Sequence, residues 1–80
     1  MLIRVECRPD ERGEEIPNRI FFDRRVVDVR DVLDRWYGED CSYFKIRSDE
    51  GIYIVRHDEG QRQWYLVMFE RKADAAGGRL

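Results

Sequence analysis

Two runs in the second half of the chain are apolar on both faces, so a sheet containing them cannot lie bare in water. Ile52-Tyr53-Ile54-Val55-Arg56-His57 puts Ile52 and Ile54 on one side and Tyr53 and Val55 on the other. Gln63 to Phe69 sets Trp64, Leu66 and Met68 against Tyr65, Val67 and Phe69. Successive strand residues point to opposite faces, so both faces of these strands need cover and both strands belong inside a sheet. Such a sheet must close, fold over, or meet a partner. With 80 residues there is material for one domain only, and a chain of this size buries roughly 60% of its unfolded surface.

Three further segments read as strands. Leu2 to Arg8 alternates Ile3, Val5 and Cys7 with Arg4, Glu6 and Arg8, and Tyr43 to Arg47 alternates Phe44 and Ile46 with Tyr43, Lys45 and Arg47. Ile20-Phe21-Phe22 is a shorter strand, with Pro17 expected at its start or on an edge, where no ladder hydrogen bond is required of it. Strands are therefore expected at 2–8, 20–22, 43–47, 52–57 and 63–69, with Phe44, Ile46, Ile54 and Leu66 in the core. Loops fall at Pro9 to Glu15, at Gly38-Glu39-Asp40, at Ser48-Asp49-Glu50-Gly51, where Gly51 suits a left-handed closing residue, and at Asp58 to Gln61. Glu14 and Glu15 read as solvated loop carboxylates. Residues 1–72 are expected to form the domain and 73–80 a mobile tail.

The stretch from Val26 to Trp36 supports two readings. As a helix, Val29, Val32, Leu33 and Trp36 share one face and Arg30, Asp31, Asp34 and Arg35 the other, with Asp28 as N-cap and Gly38 beyond the C-terminus. As a strand, Val27 and Val29 alternate with Asp28 and a bulge at Arg30-Asp31 carries the pairing on to Trp36. Four valines and three aspartates in eleven residues are poor helix formers. The three-residue link Asp23-Arg24-Arg25 from the preceding strand also suits a hairpin. The strand is preferred. The fold class is then mainly β, an antiparallel barrel or strongly curved sheet of five to six strands, with α+β and one short helix at 29–37 as the alternative.

From Pro17 to Phe69 the pattern of an aromatic segment, a short basic turn, Val27-Asp28-Val29 and Val32-Leu33-Asp34-Arg35-Trp36 resembles short uncharacterised bacterial cytoplasmic proteins carrying a domain of unknown function. More distantly it resembles a small domain encoded beside mutagenic polymerase-like proteins. Tyr43 to Arg47, Gly51 to Asp58 and Trp64-Tyr65-Leu66 continue the pattern. The resemblance implies an SH3-like barrel of short strands and no established activity, cofactor or catalytic residue. Arg24 stands where the first turn usually has a glycine.

Charge and motifs narrow the function classes. Seventeen acids against fifteen bases give a net charge of −2, so no bulk positive field draws in nucleic acid or an anionic membrane. The start of the chain, Met1 to Glu6, is too polar for a signal peptide and no segment is long and apolar enough to span a membrane, which points to the cytoplasm. Cys7 and Cys41 lack C-x-x-C spacing and read as reduced, small hydrophobes. His57, the single histidine, could pair with either cysteine as base and nucleophile, but at a strand end it reads first as a surface residue. No phosphate loop or zinc spacing is present, and no metal or cofactor is expected. Arg35, Trp36, Tyr37, Tyr43, Lys45, Arg47, Tyr53 and Arg56 interleave bases with aromatics and are the candidate binding residues. Stacking platforms for single-stranded nucleic acid have this composition, but Asp31, Asp34, Glu39, Asp40, Asp49 and Glu50 lie nearby and repel phosphate. Aromatic grooves that bind peptide tolerate an acidic rim. The favoured class is a non-enzymatic binding or accessory module with a protein or peptide partner, as monomer or weak homodimer. Nucleic-acid binding is the alternative and a homo-oligomeric structural role the third.

Overall fold

A computed structural model of the protein describes residues 1–72. The tail at 73–80 lies outside the described residues. Seven strands follow one another: β1 (Leu2–Pro9), β2 (Glu15–Phe21), β3 (Val26–Asp28), β4 (Asp31–Gly38), β5 (Cys41–Arg47), β6 (Gly51–Asp58) and β7 (Gln63–Arg71). All pairings are antiparallel, in the sheet order β3-β2-β1-β7-β6-β5-β4. The two edge strands, β3 and β4, are neighbours in sequence. Val29 and Arg30 join them by stepping from one wing of the sheet to the other, the Val29 amide donating to the Asn18 carbonyl at 3.0 Å and the Arg30 amide to the Arg47 carbonyl at 2.8 Å. The sheet is thereby curled into a half-barrel, tied at this end of the seam.

Seven strands replace the expected five to six, and the alternative helix at 29–37 does not form. Val26–Asp28 is a strand of its own, and the bulge that rescues pairing lies between Val32 and Asp34 rather than at Arg30-Asp31. That one extra residue produces the helical-looking spacing: Val32 faces inward, Leu33 takes up the irregularity, and Asp34 and Trp36 then face outward while Arg35 and Tyr37 share the inner parity. β2 begins at Glu15, five residues before the expected start. Pro17 is tolerated there because β3 pairs only with residues 19–21, so this part of β2 has β1 alone as neighbour, beside a register shift at Glu6/Cys7. The turn at 23–25 needs no glycine. Among the described residues no non-glycine there takes a positive φ, and the Phe22 amide closes it on the Arg25 carbonyl at 2.8 Å.

The core is made by Ile3, Ile20, Val27, Phe44, Ile46, Tyr53 and Val55, with Val5, Ile16, Phe22, Val29, Val32, Trp64 and Leu66 packed against it. Phe44 and Ile46 are where alternation places them, and Leu66 lies at the margin of the core. Ile54 is corrected. β6 is apolar on both faces, and it is Tyr53 and Val55 that point inward, leaving Ile54 half-buried on the convex side. Gly51 takes the positive φ expected of it, +156°, which L side chains rarely adopt, and a Cβ there would also sit 2.1 Å from the Glu70 carbonyl oxygen, so glycine is needed as well for β7 to approach. Among the described residues no helix is long and apolar enough to cross a membrane.

Candidate functional site

Because paired residues share a face, the register of β4 to β7 fixes two surfaces. Outside, Trp36, Tyr43, Arg56 and Tyr65 form one row across four strands. The next row is Asp34, Lys45, Ile54 and Met68, and the one beyond it Asp31, Arg47, Ile52 and Glu70. The first row is stacked at its two ends. Trp36 lies parallel to Tyr43, Tyr43 pairs with Arg56, and the Arg56 guanidinium sits 4.7 Å from the centre of the Tyr65 ring. The Tyr65 hydroxyl lies 3.0 and 2.9 Å from the side-chain oxygens of Gln61 and Gln63. Gly38 makes room for this arrangement, since a Cβ there would lie 2.9 Å from the Cys41 sulfur and 3.2 Å from the Tyr43 ring. Cys41 in turn pushes the Tyr43 phenol up from its ordinary value.

The expected binding residues divide between faces. Trp36, Tyr43, Lys45, Arg47 and Arg56 come together on the convex side, with Arg47 turned onto the Asp31 carboxylate. Arg35 turns inward, while Tyr37, on the same parity at the end of β4, stays exposed beside it. Tyr53 is buried in the core. Its hydroxyl is reached by Arg25 and in turn donates to Glu50, both at 3.3 Å, and burial raises its pKa. Sequence reading missed Tyr65, Ile54 and Met68 as members of the convex patch. The parity of β7 contained the signal for Tyr65, but only once its partner residues on β6 were known.

Inside the curl, a cleft of about 640 Å³ opens where β2 and β4 diverge from the seam. It draws Val5 and Cys7 from β1, Glu14 from the loop before β2 and Glu15 from its first position, Arg35 from β4, Ser42 and Phe44 from β5, and His57, Glu59 and Trp64 from the β6 to β7 end. Arg35 spans the opening. Its guanidinium lies 5.0 Å from the centre of the Phe44 ring and 5.4 Å from that of Tyr37, and Nη1 donates to Glu14 at 2.8 Å. Its Nε is buried without a partner among the described residues. Glu14 is thus a counter-charge across the seam rather than a free loop carboxylate. Ser42 donates to Glu59 at 3.0 Å, and the His57 ring packs on Trp64 with centroids 4.5 Å apart.

Cys7 and His57 do share this cleft, yet the environment works against a nucleophile. Burial, with the negative charge of Glu15 added, pushes the Cys7 thiol up to about 11, which keeps it protonated at neutral pH. No group of three or more His, Cys, Asp or Glu side chains with metal-holding geometry occurs among the described residues. A second hollow, of about 700 Å³, surrounds the β2 to β3 turn between Met1 to Arg4 and Phe21 to Val26. Comparison of the chain with protein-family models, with curated proteins and with solved structures finds no significant match.

Proposed function

We propose that this is a small non-enzymatic binding module, of the kind SH3-like domains provide, that recognises a protein partner through the convex face of β4 to β7. The observation that carries the reading is the row of Trp36, Tyr43, Arg56 and Tyr65, laid in register beside Ile54 and Met68. Tryptophan, tyrosine and arginine are the residue types in which interface energy concentrates, because they bury much area for few rotatable bonds. Here Trp36 stacks on Tyr43 and Arg56 on Tyr65, so a partner has less side-chain entropy to remove. Trp36 and Met68 remain 37% and 43% exposed, which leaves area to bury.

Charge favours protein over nucleic acid. The convex rows and the Asp58 position beside them carry Asp31, Asp34, Asp58 and Glu70 against Lys45, Arg47 and Arg56, and Arg47 is spent on Asp31. Phosphate binding needs uncompensated cations and is lost steeply with salt. The test is quantitative affinity capture with the full chain, compared with a Trp36→Ala/Arg56→Ala double variant and with Glu6→Ala, which alters the outer face of β1. A protein enriched about tenfold by the wild type and by Glu6→Ala, but not by the double variant, is the expected result. Equal enrichment by all three contradicts the reading. In parallel, single-stranded oligonucleotides should bind no tighter than about 10⁻⁴ M at physiological salt. Micromolar affinity that falls with salt and with Tyr43→Ala would instead assign a nucleic-acid platform.

A further inference from the structure

The seam cleft contains one cation of the protein's own, and next to it the fittings for another. On the β4 side the Arg35 guanidinium rests against the Phe44 ring and is neutralised by Glu14. Elsewhere in the cleft lining the same two kinds of group recur. Trp64 offers an indole backed by His57 and set 5.7 Å from Phe44, and Glu15 and Glu59 offer carboxylates at the rim. The hydrogen bond from Ser42 fixes one oxygen of Glu59. Among the ion pairs of the described residues, none engages Glu15 or Glu59.

We propose that this part of the cleft binds the alkylammonium or guanidinium group of an organic cation, with the Trp64 ring as its flat face and Glu15 and Glu59 as its counter-charges. An aromatic face attracts a cation through its quadrupole, and carboxylates beside it add charge-assisted hydrogen bonds. The charge count agrees: three carboxylates, Glu14, Glu15 and Glu59, face the single guanidinium of Arg35. A volume of about 640 Å³ admits a whole side chain with its flanking backbone, more than a bare metal ion needs. The rise in the Cys7 pKa fits a cavity in which Glu15 is felt and not neutralised. The site lies on the opposite face of the sheet from the Trp36 row and stands or falls independently of the protein-binding reading.

The cation has two natural sources, a basic side chain in a polypeptide and a free polyamine. The experiment follows the indole N–H signal of Trp64 in ¹⁵N-labelled full-length protein at low ionic strength, identified by its loss in Trp64→Phe. Probes are Nα-acetyl-lysine methylamide, Nα-acetyl-arginine methylamide, the neutral N-acetyl-norleucine methylamide, an N-acetyl-Gly-Lys-Gly amide and spermidine. A saturable shift with Kd of about 1 mM is expected for the cations and none for norleucine. Glu59→Gln retains an acceptor for Ser42 and should weaken binding about threefold; Glu15→Gln/Glu59→Gln should weaken it about tenfold or more. Glu70→Gln, on the convex face, should change nothing. Tighter binding of the peptide assigns a polypeptide side chain, and tighter binding of spermidine a polyamine; both support the site. Non-saturating shifts, equal binding of norleucine, or unaltered affinity in the folded double variant overturn it.

Discussion

The indole of Trp36 lies parallel to the ring of Tyr43, with 4° between their planes and 5.3 Å between centroids, as directly opposed residues on β4 and β5. The spacing is that of an offset stack, the arrangement aromatic quadrupoles favour over a face-to-face sandwich. It pins an edge strand that has no partner on its other side. A double-mutant cycle with Trp36→Ala and Tyr43→Ala should give a coupling of roughly 0.5 to 1 kcal/mol from denaturant midpoints. Strict additivity would show two rings solvated independently, and the convex row would lose its preorganisation.

Ile46 and Ile54 occupy opposite faces of the same sheet and should respond differently to truncation. Ile46 is fully buried, so Ile46→Ala should cost roughly 2 to 5 kcal/mol, enough to unfold much of a domain this small. Ile54 is half-buried on the convex side, and Ile54→Ala should cost less than about 1.5 kcal/mol. Urea titrations of the two variants decide this, and similar losses would mean that the inner face of β6 is misassigned.

Cys7 links the cleft to alkaline pH. Its folded pKa is raised from 9.0 to about 11, first by burial and then by Glu15, so folding favours the protonated thiol. The stability this contributes is present below pH 9 and is lost as the pH rises through about 11. In a Cys41→Ala background the ultraviolet absorbance of the thiolate should therefore appear with a midpoint near 11, and Glu15→Gln should lower that midpoint while leaving it above 9.0. A midpoint at 9.0 would show that Cys7 is open to solvent and that the cleft wall is not formed.

Much of the sheet was legible because alternation survives wherever one face is wet, as in β1 and β5. It failed in three places for separate physical reasons. In β4 a single bulge residue resets the parity, and with Val29 in the link before the strand, Val29, Val32, Leu33 and Trp36 acquire helical spacing without a helix. In β6 both faces are apolar, and nothing local distinguishes Tyr53 and Val55 from Ile52 and Ile54. In the cleft, Glu14, Glu15, Arg35, Glu59 and Trp64 come from four separate parts of the chain and meet only because the sheet curls. The charged side chain of Arg35, placed on an inner row, has no sequence signature that separates it from an outward arginine. Among the candidate binding residues, Trp36, Tyr43 and Arg56 share a row because their register does, while Tyr53 falls on the opposite parity and is lost to the core.

The central claim is that the convex row is where a protein partner sits, and an amide footprint on ¹⁵N-labelled protein tests it most directly. With the captured partner added, the largest shifts or line broadening should fall on Trp36, Tyr43, Lys45, Ile54, Arg56 and Tyr65, with β1 to β3 little changed. A footprint confined to β1, β2 and β3, with those six residues unmoved, would contradict the account.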